Sequence, residues 1–293
     1  MLSQKVYLAF DGRMAFHRPM VSSPSDSLIP FDSGEDADDV DQGEVHCEIP
    51  DRIHAIYDRL QELEPEIGNN RFVEIPCIPA KRETIELVHS SKHYEFMQKT
   101  ARMTMEELKR VEIPHDLYFC NKTFLAAKLA VGGVVESVNA VTDINRKSTR
   151  AIAIVRPPGH HAGRDEAMGF CYFNNIAIAA KHAIASGRAK RVFILDWDIH
   201  HGNGIQDVTY DDPQIFYLSI HRASFSRNHK KWFYPGTGRP SETGKMEGVG
   251  TNLNVVFGEG GKFDSVGTPK ESTCKFFSCS QLCCVFFMIA RND

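Results

Sequence analysis

Hydrophobic positions follow two different periods along this chain. Ile53, Ile56, Leu60 and Leu63 recur every three or four residues behind Pro50 and Asp51, which are good helix-start residues. Phe124, Ala127, Val131, Val134, Val138 and Val141 keep that spacing over a longer span. Both predict helices with one apolar face. The pattern then changes to short continuous apolar runs: Ala151 to Val155, Val192 to Leu195, Ile215 to Ile220 and Leu253 to Phe257. An earlier run, Lys5 to Ala9, is a candidate first strand, and a helical segment at about Asn174 to Ser186 separates the first two later runs. Apolar runs alternating with helices predict βαβ units and a mostly parallel sheet covered on both faces, an α/β fold. No internal repeat of fixed period is present.

Two stretches depart from this. Residues 21–45 carry eight acidic residues and no Lys or Arg, among many Ser, Pro and Gly. Such a composition buries too little apolar surface to offset ordering entropy, so a flexible acidic insert is expected. A recruitment site for a basic partner is the alternative. At the other end, Cys274, Cys279, Cys283 and Cys284 crowd the last twenty residues, whereas Cys47, Cys77, Cys120 and Cys171 are scattered, as buried thiols are.

Charge and hydropathy narrow the function classes. Net charge is −4, from 34 basic and 38 acidic residues, which argues against broad electrostatic nucleic-acid binding while leaving room for a local basic patch. No direct sequence-specific nucleic-acid binding is expected. The longest apolar run, Leu282 to Ala290, has nine residues, against ~20 for a membrane span. Met1 to Phe10 lacks a signal-peptide pattern. A soluble intracellular chain with no membrane partner is expected.

Polar residues cluster where the predicted strands stop, the usual place for ligand sites in open α/β sheets. Arg156-Pro157-Pro158-Gly159-His160-His161-Ala162-Gly163 follows one run, and Asp196-Trp197-Asp198-Ile199-His200-His201-Gly202-Asn203-Gly204 follows the next. His221 follows the third. Alternate residues of an extended segment face one side, so Asp196, Asp198 and His200 converge if the strand conformation persists. Carboxylate oxygen and imidazole nitrogen at that spacing suit Zn²⁺ or a similar divalent ion. The prolines stiffen the chain ahead of His160 and His161, which can serve as a general base and its electrostatic partner. Asn174 or Asn175 is a candidate N-cap. Gly169 to Phe173 and Trp232 to Gly238 are aromatic turns that could wall a narrow slot for an alkyl chain.

Together, Arg156 to Ala162, Gly169 to Asn175, Ile194 to Gly204 and Tyr234 to Gly238 resemble the zinc-dependent histone deacetylases, closest to the class II, yeast-type branch. Asp11 to Met14 with His17, and Pro50 to Ile53, resemble its N-terminal motifs, and the likeness covers roughly residues 5–257 outside the acidic insert. The resemblance implies a three-layer arginase/deacetylase-type fold. It implies hydrolysis of Nε-acetyl-lysine on histones or other proteins, a nuclear and also cytoplasmic location, and corepressor complexes in transcriptional repression. It implies Asp198 and His200 as zinc ligands, His161 as general base, His160 as its partner with Asp196 behind it, and Asn203 orienting His161. Gly169 and Phe170 would line the substrate tunnel, with Phe233 or Tyr234 opposite and Asp116 at the rim. Asp196, Asp198, His200 and Ser219 resemble an inner potassium site.

The likeness stops after Phe257. The expected segments supplying a third zinc ligand and a carbonyl-polarising tyrosine are not recognisable, and Asp264 is only a faint echo of the former. Residues 1–257 therefore read as a partial deacetylase domain and 258–293 as an out-of-family Cys- and Phe-rich tail, as in a truncated isoform. Loss of the later strands predicts a sheet with an unpaired edge. A non-catalytic binding or unstable product is the alternative reading. An arginase-like ureohydrolase is disfavoured by the order Asp-x-Asp-x-His-His.

Overall fold

A computed structural model describes residues 5–19, 46, 48–111, 117–143, 145, 148–226, 231–258 and 285–290. The acidic insert, Asp116, Asp264 and the tail cysteines lie outside the described residues.

The predicted periods become elements. Ile53 to Leu63 lie in helix α1, Asp51–Ile67. After strands β1 (Val6–Phe10) and β2 (Phe72–Ile75) come three short helices, α2 (Arg82–Ile85), α3 (Ser91–Thr100) and α4 (Met105–Lys109). The longer three-four pattern forms α5, Thr123–Thr142. By length and composition α5 could cross a membrane, which the run-length reading did not anticipate, but 67% of its most apolar window is buried inside the fold. Its apolar surface is therefore consumed by the core: Leu129, Ala130 and Val131 are fully buried, at about 1.5–3 kcal/mol per large aliphatic side chain.

The apolar runs become β3 (Ala151–Ile154), β4 (Arg191–Asp196), β5 (Ile215–Arg222) and β8 (Asn252–Phe257). Between them lie α6 (Asn175–Ala185), α7 (Asn203–Thr209) and a small hairpin of β6 (Phe225–Ser226) and β7 (Lys231–Trp232). Asn174 is the N-cap of α6, its side chain accepting the Ala177 N–H at 3.1 Å. The strands form two sheets: β2-β1-β3, all parallel, and β8-β5-β4-β9, in which β9 is Val285–Ala290. α5 packs on β1 and β3 and also on α6, whose neighbours include β4.

Two differences from expectation matter. β5 runs on through His221, so that residue sits within the strand, and Tyr217, Ser219 and His221 alternate on its buried face. The edge of β4 is not open: β9 pairs with it antiparallel along its whole length, from Arg191↔Ala290 to Asp196↔Val285.

Candidate active site

β3 and β4 belong to different sheets, and their carboxyl ends meet through side chains. The rigid turn after β3 delivers His160, whose Nδ1 donates to Asp196 Oδ2 at 3.0 Å. Asp196 is the last residue of β4 and is fully buried. Its other oxygen accepts the Asp198 N–H at 3.1 Å, and the Tyr217 hydroxyl lies 3.0 Å from Oδ2. The carboxylate is thus held from three directions. Glycine is required beside it, because a Cβ on Gly202 would come within 2.4 Å of both Asp196 Oδ2 and the Tyr217 hydroxyl.

His161 stands against His160, ring centroids 3.9 Å apart. Its Nδ1 lies 2.8 Å from Asn203 Oδ1, and the Asn203 amide nitrogen points to Met168 Sδ at 3.3 Å. An amide oxygen only accepts, so His161 Nδ1 carries the proton and Nε2 is left as a free base. Gly169, at φ +56°, packs so closely that a Cβ there would lie 2.3 Å from the His161 ring.

The two imidazoles are pushed apart electrostatically. Burial disfavours the charged form of His160, but the Asp196 and Asp198 charges outweigh it and raise its pKa. Burial, then the neighbouring His160 and His200, hold His161 well below the ordinary histidine value. Opposed shifts in adjacent groups separate a proton acceptor from its charged partner.

Asp198 and His200 lie beside the dyad. Asp198 Oδ1 accepts the His200 N–H at 2.8 Å and is 3.1 Å from His200 Nδ1. Burial pushes the Asp198 carboxyl up, but His160 and His200 outweigh it and hold it down at about 2. Carboxylate and imidazole donors fit zinc in kind. They do not fit it in number: among the described residues no third His, Cys, Asp or Glu joins them in a metal-holding group.

The walls are aromatic. Phe233 stacks on His200, centroids 5.0 Å apart and planes 1° from parallel. Tyr234 meets His161 edge-on at 5.2 Å and His200 at 5.9 Å. Phe170, at φ +66°, packs its ring on His46 at 5.0 Å. Ser219 is paired across the strands with Asp196, and its hydroxyl lies 2.8 Å from His221 Nδ1. The loop below Tyr234 is fastened from beneath, by His201 Nδ1 to Thr237 Oγ1 at 2.8 Å and His221 Nε2 to the Gly238 carbonyl at 3.1 Å.

Sequence reasoning missed two contributors. Tyr217 was hidden in an apolar run, where alternate spacing with Ser219 and His221 was its one signal. Arg156 carries no signal in the sequence beyond its place at the start of the Pro157-Pro158-Gly159-His160-His161 segment. It is buried and uses all five N–H groups: Nε and Nη2 on Glu48 at 2.8 Å each, Nη2 on the Tyr118 hydroxyl at 2.8 Å, and Nη1 on the Met14 and His17 carbonyls. It thereby ties the turn before His160 to the N-terminal segment.

Known proteins resemble the chain in sequence and fold. The histone deacetylase domain family matches residues 46–269. Histone deacetylase HDA1 of Saccharomyces cerevisiae is 36% identical over 275 residues, covering 89% of this chain and 36% of that protein. Histone deacetylase 6 of Caenorhabditis elegans is 39% identical over 241 residues, covering 79% and 24%, and human polyamine deacetylase HDAC10 is 36% identical over 222, covering 75% and 32%. The chain thus spans between about a quarter and about a third of these relatives. The crystal structure of the HDA15 HD domain superposes with a TM-score of 0.70 at 31% identity, over 87% of this chain and 62% of that one. The three-layer arginase/deacetylase-type fold, the motif order and these matches make one case: the chain belongs to the histone deacetylase family, in its class II branch.

Proposed function

We propose that this site serves hydrolysis of an acetylated amine, with Nε-acetyl-lysine of histones or other proteins as substrate and lysine and acetate as products. The observation that carries the reading is the dyad: a neutral His161 with Nε2 free, beside a His160 whose charge is favoured by Asp196. His161 would take a proton from the attacking water and return it to the leaving amine, while His160, with Asp196 behind it, stabilises the charge that develops. Asn203 keeps the His161 tautomer. Gly169, Phe170, Phe233 and Tyr234 would enclose the alkyl chain of the substrate, with Asp116 at the rim.

Zinc, where bound, supplies acidification of the water and polarisation of the acetyl carbonyl. Asp198 and His200 are its proposed ligands in this chain, and a third donor must come from outside the described residues. Asp196, Asp198, His200 and Ser219 are the proposed surroundings of a potassium ion. The family match runs on to residue 269, so of the expected tail at 258–293 the part beyond it, 270–293, is proposed as out-of-family. A nuclear and cytoplasmic location and association with corepressor complexes extend the proposal by family likeness. The names of relatives divide between histone and polyamine deacetylases, so N-acetylated polyamine is the second substrate to try.

The alternative reading is a chain that binds partners without catalysing; among the described residues two donors, Asp198 and His200, stand together. A site without its carbonyl-polarising donor loses on the order of 10²–10³ in rate, and slight turnover is the outcome this alternative expects. The test is an assay of the full chain with acetyl-lysine peptide or N-acetylpolyamine, with and without added zinc, beside His161→Ala. Zinc-dependent turnover abolished by His161→Ala supports the catalytic reading. Peptide binding without turnover supports the second, and turnover that survives His161→Ala removes the proposed base.

A further inference from the structure

β4 carries Asp196 at its carboxyl end, so whatever fixes the β4 backbone fixes the dyad. On one side β4 is bonded to β5. The Val192 N–H donates to the Gln214 carbonyl at 2.8 Å, which fixes the direction of every other β4 amide. Backbone groups of successive strand residues point to opposite edges. Val192, Ile194 and Asp196 therefore face β5, and Arg191, Phe193 and Leu195 face the other way, toward β9. The register pairs these three with Ala290, Met288 and Phe286. In an antiparallel ladder, residues whose groups face each other exchange both N–H···O bonds. Phe286, Met288 and Ala290 thus bond to β4, while the N–H groups of Val285, Phe287 and Ile289 point outward, where no second strand partner exists among the described residues.

We propose that residues 285–290 act as an in-chain edge cap: the tail strand adds to the open side of β4 through its backbone, brackets Asp196 between Ser219 and Val285, and blocks that edge against a second copy of the chain. The observations behind this are the six-pair register, the antiparallel direction of β9 in a sheet otherwise built of parallel pairs, and the position of Asp196 at the capped end. An uncapped edge of this kind presents unpaired N–H and C=O groups and templates pairing with another chain. The assignment is independent of any catalytic activity.

Residue-resolved amide exchange on the full chain tests it. In the unsubstituted chain, Phe193, Leu195, Phe286 and Met288 should exchange slowly and Phe287 and Ile289 fast. Met288→Pro removes a ladder donor, whereas Phe287→Pro removes an outward one, which an edge strand tolerates. Met288→Pro should speed exchange at Phe193 and Leu195 by roughly tenfold, the equivalent of about one ladder bond, and should produce concentration-dependent self-association in sedimentation. Phe287→Pro should behave like the parent, and Val192 and Ile194, bonded to β5, should stay slow in both. Fast exchange of Phe193 and Leu195 in the unsubstituted chain overturns the proposal without recourse to any variant. So does an equal response to the two prolines.

Discussion

Two buried charge clusters approach each other in sequence at Arg156 and His160, and they are finished differently. Arg156 and Glu48 form a closed set: every guanidinium N–H has a partner, both carboxylate oxygens are used, and the pair ties Met14, His17 and Tyr118 into one knot. The set around Asp196 is closed on one side only. Asp196 is fully engaged, yet the chain from it through His160 to His161 ends in an imidazole nitrogen without a hydrogen-bond partner among the described residues. A satisfied network rigidifies, and one that stops at a free base can do chemistry. Burial alone does not distinguish them, since Arg156, His160 and His161 are all at most 3% exposed.

The largest effect expected from this contrast is on the closed set. Glu48→Ala leaves Arg156 charged and unpaired in the interior and should destabilise the chain by about 3–5 kcal/mol in a denaturant titration. A loss under about 1 kcal/mol would mean that the knot is not what holds the N-terminal segment. Next comes Asp196→Asn. An amide can satisfy only part of this site, because its NH₂ would face donors from His160, Asp198 or Tyr217. A cost of about 1–3 kcal/mol follows from the mismatched donor, together with a changed His160 tautomer in nitrogen NMR. An unchanged tautomer would remove Asp196 as the residue that sets it.

Asn203→Ala reaches the open end. It removes one acceptor at His161 Nδ1 and should cost only about 1 kcal/mol in stability, while the imidazole loses its tautomer preference. A larger loss would place Asn203 in the structural class with Glu48. The smallest effect is a pH slope. Burial first, then Arg156, hold His17 well below its ordinary value of 6.5. The unfolded chain therefore binds more protons than the folded one as pH drops below about 6.5, and stability falls in that direction. Between pH 7 and 6 this site contributes under about 1 kcal/mol, and His17→Gln should flatten the slope by that share. An unaltered slope assigns the acid sensitivity to other buried histidines.

The open cluster was largely legible in the sequence and the closed one was not. His160, His161, Asp196, Asp198, His200 and Asn203 sit at two consecutive strand ends, so local extension and turn stiffness suffice to bring them near each other. Glu48 lies 108 residues from Arg156, and nothing periodic marks it as a partner. Tyr217 needed the inter-strand register, which an apolar run does not display. The tail shows the same limit: Val285 to Ala290 reads as a hydrophobic stretch in any context, and only pairing with β4 makes it a strand.

The residues proposed to handle protons all fall between Arg156 and Asn203, one uninterrupted stretch of chain, whereas the knot that anchors it reaches back to Met14 and the strand that borders it comes from beyond residue 280. In genetic terms the stretch is a cassette. Rearrangements on either side would change what flanks it, the Tyr217 hydroxyl on Asp196 and the Glu48 carboxylate on Arg156 included, without rewriting a residue of the dyad.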